Sequence, residues 1–209
     1  MKKKPIIGIV SRIKEQTNSK VFLGCYDNYL KKIVLNGGIP LLILPTQINF
    51  NNGLSDIEKT DLEVILKKCD GILMPGGDDP SPYDIFINDY AYYNDIPILG
   101  ICLGMQVMAI ADGSNLIRVN NHYLANHDVV LKNNTLLKKV YDKNIIYTNS
   151  RHKYKLDKTN KYTLSALSFD GVIEGIEDNT KRFNVGVEWH PEDLTDNSLF
   201  KYFIDICRK

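Results

Sequence analysis

The chain has 209 residues, a formal net charge of +1 at pH 7, 44% hydrophobic residues and 24% charged residues. These values are those of an ordinary globular protein that can bury a full core, and they exclude a general electrostatic attraction to nucleic acid. No apolar run approaches a membrane span, and residues 1–5 lack the apolar core of a signal peptide. A cytoplasmic protein with neither a membrane nor a nucleic-acid partner is expected.

The first half of the chain alternates between short apolar runs and helical periodicity, as an α/β protein does. The apolar runs predict buried parallel strands at residues 6–10, 40–44, 71–74 and 97–101. The periodic patterns predict helices at residues 26–36 and 57–68, the second with Leu62, Ile65 and Leu66 on one face.

From residue 116 the pattern changes to short alternating strands. They are predicted at residues 116–119, 128–131, 145–148, 163–168, 172–176 and 184–188. The polar segment 132–144 is expected to be loop with a short helix. A last helix at 199–207 is expected to bury Leu199, Phe200, Phe203 and Ile204. No internal repeat or linker interrupts the pattern, so residues 1–209 are predicted to form a single domain.

The four cysteines are Cys25, Cys69, Cys102 and Cys207, and their spacing suits a reducing compartment. We expect Cys69 and Cys207 to be small buried hydrophobic residues. No cluster of histidine, cysteine and carboxylate residues appears at metal-ligand spacing in the sequence. We therefore expect no metal and no organic cofactor.

Cys102 lies between two apolar segments, with Gly100 and Gly104 two positions away on either side. A strand, a sharp turn with one nucleophilic side chain and a helix form a nucleophile elbow. Glycines are expected there because a strained backbone and a close approach of strand and helix tolerate no Cβ. The helix N-terminus is expected to favour the thiolate. A buried structural cysteine is the alternative, although a plain core strand gains nothing from the glycines.

His190 is the candidate base for this nucleophile. It ends an alternating strand and is followed by Pro191, which stops the strand, and by Glu192. Because Pro191 fixes the local backbone, Glu192 can fold back towards the imidazole of His190. A carboxylate there would select the tautomer and stabilise the imidazolium. Cys102, His190 and Glu192 are thus a candidate triad for acyl transfer.

Residues 100–106 (Gly-Ile-Cys-Leu-Gly-Met-Gln) and 189–192 (Trp-His-Pro-Glu) resemble the nucleophile and His-Pro-Glu motifs of class I glutamine amidotransferase-like proteins. Further segments are similar to the γ-glutamyl-γ-aminobutyrate hydrolase branch, peptidase C26. They are residues 4–9, 29–45 and the glycine-rich loop 70–80 with Tyr83. The resemblance runs from about residue 5 to 205. It implies the flavodoxin-like α/β fold of that family, with a mostly parallel central sheet, helices on both faces and a small antiparallel β extension.

The resemblance implies that Cys102 attacks a side-chain amide and forms a glutamyl thioester, with His190 as the base that Glu192 holds. The tetrahedral oxyanion needs preorganised N–H donors. The best-placed donors are the backbone N–H groups of Leu103, directly after the nucleophile, and of Gly77, on the loop after the strand at 71–74.

The same loop offers Gly76 and Asp78 as candidate substrate-binding residues, and Gln106 follows the nucleophile. An ordinary turn remains the simpler interpretation of Gly76 alone.

Residues 149–154 depart from the family pattern, because they read Asn-Ser-Arg-His-Lys-Tyr where the family usually has Asn-Ser-x-His-His-Gln. That region usually faces the substrate, so the candidate binding residues are Asn149, Ser150, Arg151, His152 and Lys153. Arg151 and Lys153 would suit a leaving group that carries phosphate or carboxylate. Alternatively, both are solvated and only His152 points inward.

Two enzymatic functions remain open. The first is a stand-alone hydrolase that cleaves the γ-glutamyl amide bond of a small metabolite, either γ-glutamyl-γ-aminobutyrate or a γ-glutamyl nucleotide amidate such as γ-glutamyl-CDP-amidate in capsule phosphoramidate synthesis. The alternative is a glutaminase subunit that supplies ammonia to a separate synthetase partner. A binding module on an inactive fold is disfavoured because Cys102, His190 and Glu192 are all present. The first function is preferred from the sequence, with a small-molecule γ-glutamyl substrate, and a homodimer stays open.

Overall fold

The computed structural model describes residues 3–16, 20–46 and 53–208. Over these residues the central sheet has nine strands, and five adjacent strands of the nine run parallel to one another. Strands are labelled in chain order. The five parallel strands lie side by side in the order β4 (Ile39–Ile43), β1 (Ile6–Val10), β5 (Gly71–Met74), β6 (Ile98–Ile101) and β13 (Asn184–Val187). Residues of β5, β6 and β13 are buried along their whole length, as expected for the centre of a parallel sheet covered on both faces.

The sheet continues without a break into an antiparallel half. Its strands, in spatial order from β13, are β12 (Ile173–Glu177), β11 (Thr163–Ser168), β8 (Tyr123–Leu131) and β9 (Ile145–Arg151). Two small antiparallel sheets pair β2 (Arg12–Gln16) with β3 (Val21–Gly24) and β7 (Leu116–Arg118) with β10 (Tyr154–Leu156).

Helices cover both faces of the sheet. Successive residues of the parallel strands alternate between two hydrophobic clusters, so Leu73 belongs to one cluster and Met74 to the other. The first cluster contains side chains of α1 (Asp27–Leu35), α5 (Leu136–Tyr141) and α6 (Ser198–Cys207). The second contains side chains of α2 (Asp56–Leu66), α3 (Pro82–Tyr93) and α4 (Leu103–Ala111). Among the described residues, no helix is long and apolar enough to span a membrane.

The predicted α/β fold is confirmed, and the predicted strands and helices of the first half correspond to β1, β4, β5, β6, α1 and α2. Cys69 and Cys207 are buried, as are Leu199, Phe200, Phe203 and Ile204 of the last helix. The predicted antiparallel strands are present, and two of them are longer than predicted, because β8 begins at Tyr123 and β9 continues to Arg151. The residues added to β8 do not alternate regularly between apolar and polar, and those added to β9 are all polar.

Helix α3 was absent from the sequence prediction, because its aromatic and polar composition gives little amphipathic contrast. Its start does carry a local signal. The Ser81 side chain accepts a hydrogen bond from the Asp84 N–H, and the Asp84 carboxylate accepts one from the Ser81 N–H. This capping box, followed by Pro82 in the first turn, is a sequence pattern for a helix N-terminus.

The parallel half determines where polar side chains meet. Strands β1, β5, β6 and β13 are neighbours, and their carboxyl ends lie at the same edge of the sheet. The residues that directly follow them at this edge are Ser11 and Arg12, the loop 75–77, Cys102, and the segment 188–190. The candidate site is therefore assembled from four strand ends.

Candidate active site

Cys102 occupies a sharp turn between β6 and α4. Its φ is 52°, a left-handed conformation that is uncommon for a residue with a side chain. Hydrogen bonds hold the turn, since the Cys102 N–H donates to the Val187 carbonyl at 2.8 Å and the Cys102 carbonyl accepts from the Gln106 N–H at 3.0 Å. This is the geometry that the sequence predicted for a nucleophile elbow.

The two flanking glycines allow strand and helix to approach each other closely. A Cβ at Gly104 would lie 2.2 Å from the Met74 carbonyl oxygen, and a Cβ at Gly100 would lie 2.7 Å from the Gly104 carbonyl carbon. Neither position has room for a side chain. The glycines therefore belong to the packing that holds Cys102 in its turn.

His190 is held at both its ring and its backbone. Its Nδ1 lies 2.7 Å from Oε1 of Glu192, which follows in the short 3-10 helix Pro191–Asp193. The Asn149 amide clamps the backbone, because its oxygen accepts from the His190 N–H and its NH₂ donates to the His190 carbonyl, each at 3.0 Å. The buried Nε2 of His190 has no hydrogen-bond partner among the described residues.

A cavity of about 900 Å³ opens at this edge of the sheet, and Cys102, His190 and Glu192 all line it. Gly76 lies close to both the nucleophile and the base. A Cβ on Gly76 would lie 2.9 Å from Cε1 of His190 and 3.6 Å from Cβ of Cys102. Both side chains therefore face the same point of the loop, and a larger residue at Gly76 would separate them.

The thiol of Cys102 is held in its neutral form. Burial raises its pKa well above the usual range and the Glu188 carboxylate adds to the rise, whereas the hydrogen bond from the Leu103 N–H acts in the opposite direction. The N–H group of Leu103 at the helix N-terminus favours the thiolate, as expected, but desolvation outweighs this contribution. The thiol needs a base to lose its proton.

The loop 75–77 carries Gly77 next to Leu103, the first residue of α4. A Cβ on Gly77 would lie 2.8 Å from Cδ2 of Leu103. The neighbouring N–H of Gly76 is already engaged, since it donates to the hydroxyl oxygen of Tyr29 at 3.1 Å. The structure thus brings the two predicted donors, Gly77 and Leu103, to the turn of Cys102.

The predicted substrate-binding residues fall into two groups. Gly76, Asp78 and Arg151 line the cavity, and the Arg151 guanidinium forms an ion pair with Asp193. The others differ from the expectation, because their side chains are engaged elsewhere and do not line the cavity. These are Gln106, Asn149, Ser150, His152 and Lys153.

Their contacts explain the difference. Gln106 Nε2 donates to Oε1 of Glu188 at 2.5 Å, and Ser150 Oγ donates to the His122 carbonyl at 2.5 Å. His152 directs Nδ1 to the Tyr154 carbonyl at 2.8 Å. The Lys153 ammonium lies 4.5 Å from the centre of the Tyr123 ring. Asn149 holds the backbone of His190, which makes it a positioning residue.

Arg12 is the main site residue that the sequence did not reveal. It is buried, lines the cavity, forms an ion pair with Asp84 and donates to the Pro75 carbonyl at 2.9 Å. Its guanidinium therefore anchors the loop that carries Gly76 and Gly77. The available signal was its position directly after β1, at the edge where the other site residues emerge.

A second polar cluster lies in the antiparallel half. His122, His127 and Glu174 each offer one ligand atom, and these atoms lie within 4.8 Å of one another. The sequence showed no metal-ligand spacing because the three residues are distributed over two different strands and a connecting loop. Only the fold brings them together.

Comparisons with known proteins agree on one family. Residues 24–205 match the family of class-I glutamine amidotransferases. A glutamine amidotransferase-like protein of Rickettsia prowazekii is 26% identical, with 95% of each chain covered. The carbamoyl phosphate synthase small chain of Buchnera aphidicola is 32% identical over 164 residues, which cover 72% of this chain but only 40% of that relative.

Among solved structures, the glutaminase domain of Trypanosoma brucei CTPS with bound acivicin superposes with a TM-score of 0.77. The match covers 98% of this chain and 94% of that domain at 19% identity, so it shows a shared fold. Because the family match covers most of the chain, the protein belongs to the class-I glutamine amidotransferases.

Proposed function

We propose that the protein is a cysteine-dependent glutaminase that hydrolyses the side-chain amide of glutamine and supplies ammonia to a synthetase on a separate chain. The similarity to the carbamoyl phosphate synthase small chain and to the glutaminase domain of CTPS supports this function over the stand-alone hydrolase preferred from the sequence. Residues 1–209 would act as one glutaminase module. Membership of peptidase C26 is not needed for this function.

The proposed glutaminase activity rests on the arrangement of Cys102 and His190. Burial raises the pKa of the thiol and so favours its neutral form, and His190, whose Nε2 has no hydrogen-bond partner among the described residues, lines the same cavity. Nε2 takes the thiol proton as Sγ attacks the amide carbon of glutamine, and it returns that proton to the departing nitrogen. The products of this half-reaction are ammonia and a glutamyl thioester. Water activated by His190 then releases glutamate and restores the thiol.

Glu192 and the loop 75–77 complete this mechanism. Glu192 accepts the Nδ1–H of His190, which leaves Nε2 free as the base and stabilises the imidazolium. The N–H groups of Leu103 and Gly77 would stabilise the oxyanion, a contribution of roughly 3–4 kcal/mol for each donor. Arg12 and Tyr29 act indirectly, since they hold the loop through Pro75 and Gly76.

A second candidate function is hydrolysis of a larger γ-glutamyl amide, as in the peptidase C26 branch. The observation that favours it is the cavity of about 900 Å³, a size typical of sites for whole small-molecule ligands. Arg12 and Arg151 line this cavity and would suit an anionic leaving group such as a nucleotide amidate or the carboxylate of γ-aminobutyrate. Lys153 would not contribute, because it lies over Tyr123.

One assay distinguishes the two functions. The purified protein is given glutamine, γ-glutamyl-γ-aminobutyrate and a γ-glutamyl amide with a phosphate-bearing amine, and release of glutamate is measured. We expect glutamine to have the highest kcat/KM. A preference of more than ten-fold for either larger amide would overturn the glutaminase proposal in favour of the second candidate. Cleavage that persists unchanged in Cys102→Ala would contradict both.

A further inference from the structure

Three histidines surround one buried carboxylate away from the candidate active site. His127 lies on β8, His122 directly precedes that strand, and His152 directly follows β9. All three face Glu174 of β12, whose side chain is 0% exposed, while the His127 side chain is 19% exposed and closes the outer side. None of these four residues lines the cavity of Cys102.

The spacing of their ligand atoms is that of a coordination shell. Oε1 of Glu174 lies 3.2 Å from Nδ1 of His122, 3.1 Å from Nε2 of His127 and 3.5 Å from Nε2 of His152. Nδ1 of His122 lies 3.1 Å from Nε2 of His152. Ligands bound tetrahedrally to zinc at about 2.0–2.1 Å are separated by about 3.3–3.4 Å. The four distances bracket this value.

Only the contact between His122 and His152 has hydrogen-bond geometry, so these short contacts are not a complete set of ordinary hydrogen bonds. Both carboxylate oxygens of Glu174 and Nε2 of His127 are buried without a partner in hydrogen-bond geometry among the described residues. A buried carboxylate usually receives aligned donors, because an unsatisfied charge in the interior is costly. Atoms that lie this close together without aligned donors would be satisfied by one shared cation.

The outer contacts fix the tautomers of two rings. The Tyr154 carbonyl can only accept, so His152 carries its proton on Nδ1, 2.8 Å away, and presents the Nε2 lone pair to the cluster. Asp170 Oδ2 lies 3.0 Å from Nε2 of His122, which likewise leaves Nδ1 of neutral His122 as a lone pair. A carbonyl or carboxylate behind the ring is the usual support for a metal-bound histidine.

With both rings neutral, two lone pairs and a carboxylate oxygen therefore converge, and they repel one another unless a proton or a metal ion lies among them. A single proton between His122 and His152 would leave His127 Nε2 and Glu174 unsatisfied. One metal ion would satisfy all of these atoms at once.

We propose that Nδ1 of His122, Nε2 of His127 and Oε1 of Glu174 bind a divalent transition-metal ion of the zinc class, with Nε2 of His152 within reach as a fourth ligand. Imidazole nitrogens with one carboxylate oxygen are the donors that Zn²⁺ accepts, and the burial of the cluster corresponds to a closed, structural site. The ion would join β8, β12 and the segment after β9. It takes no part in the chemistry proposed for Cys102.

The test measures metal content in a Cys102→Ser background, which removes the thiol as a competing ligand for zinc. The full-length protein is treated with a chelator, loaded with Zn²⁺ and desalted, and bound zinc is measured by mass spectrometry. We expect one Zn²⁺ per chain, a higher Tm with the ion than without it, and the visible spectrum of tetrahedral Co²⁺ when cobalt replaces zinc.

Variants localise the site. His127→Ala and Glu174→Gln are expected to lose the bound ion, whereas Asn126→Ala, at an exposed neighbouring position on β8, keeps it. Asp170→Asn, which removes the charge of the carboxylate behind His122, is expected to weaken Zn²⁺ affinity by about 10–100-fold without abolishing it. Circular dichroism checks folding, and if Glu174→Gln fails to fold, the more exposed His127→Ala carries the test.

Two results would overturn the proposal. One is a Cys102→Ser protein that retains no zinc and gains no thermal stability from it. The other is zinc retention that is the same in His127→Ala as in its parent. In either case the cluster is a proton-sharing network, and the glutaminase proposal is unaffected because it depends on other residues.

Discussion

In the parallel half of the sheet, β5, β6 and β13 are buried along their length, whereas β9 in the antiparallel half alternates between buried and exposed residues. The parallel half keeps its reactive groups in the turns beyond the strand ends. The antiparallel half instead carries polar groups such as His127 and Glu174 within its strands. Apolar packing thus supports the chemistry in one half, whereas the other half combines an apolar core with a buried polar cluster.

The largest expected effect concerns the parallel half alone. Cys102→Ser is expected to lower kcat/KM for glutamine by a factor on the order of 10⁴ or more, because the thioester cannot form. The fold should not change, since Cys102 is held by backbone hydrogen bonds that serine retains. Steady-state kinetics and a thermal melt check both statements. Residual activity within a few-fold of the parent would contradict the thioester mechanism.

A smaller effect is expected at Glu192. Its carboxylate orients His190 at 2.7 Å and takes no proton, so Glu192→Gln should reduce kcat by roughly ten- to a thousand-fold, less than His190→Ala does. Both variants are compared by kcat under saturating glutamine. Equal losses in two folded proteins would mean that Glu192 has a role beyond orienting the base.

The two halves also differ in how much could be predicted from the sequence. The parallel strands and the elbow at Cys102 were predictable because fully buried strands leave continuous apolar runs and the close approach of backbones leaves glycines. Arg12 was not predictable, because its role follows from the proximity of β1 and β5, which the sequence does not encode locally. The contacts of His190 with Asn149 were not predictable either, because they join two segments that are distant in sequence and close only in the fold.

In the antiparallel half all four strands were predicted, but β8 and β9 were predicted too short. The first residues of β8 show no regular alternation, and the role of His127 depends on Glu174 of β12, which is distant in sequence. The substrate role expected for Gln106 and His152 assumed that residues near a motif in sequence also face the cavity. In the structure the Gln106 side chain contacts Glu188 instead, and the His152 side chain contacts the Tyr154 carbonyl.

Two glycine substitutions compare a closely packed position in the parallel half with an open turn in the antiparallel half. Gly104→Ala would place a Cβ 2.2 Å from the Met74 carbonyl oxygen, so we expect a loss of about 3 kcal/mol in the free energy of unfolding. Gly171, between β11 and β12, has a φ of +81°, and no atom of the described residues lies within 4 Å of an added Cβ. Gly171→Ala should cost only about 1 kcal/mol, from backbone strain. Urea unfolding of both variants measures the difference, and equal losses would show that small local shifts relieve the close contact at Gly104.

The smallest expected effect is a weakening of the fold at alkaline pH that originates in the parallel half. Burial raises the pKa of the Cys69 thiol to about 11 and raises the pKa values of Cys102 and Cys207 in the same direction. A folded-state pKa above the unfolded value gives stability that is complete below the unfolded pKa and is lost as pH rises towards the folded value. For Cys69 this window runs from about pH 9 to about pH 11. Each such thiol lowers the free energy of unfolding by about 1 kcal/mol per pH unit within its window.

Replacing Cys69 with alanine tests whether its buried thiol causes the loss of stability at alkaline pH, because the alanine side chain does not titrate. Urea midpoints are measured at pH 7.5 and pH 10 for the parent, for Cys69→Ala and for Cys25→Ala, a control at a half-buried cysteine. Cys69→Ala lowers the free energy of unfolding at pH 7.5 because it leaves a small cavity. Between pH 7.5 and pH 10, however, its urea midpoint should fall by less than that of the parent. The control should follow the parent. If all three lose the same amount, the buried thiol is not the group that limits alkaline stability, and titration elsewhere in the chain, including the antiparallel half, accounts for it.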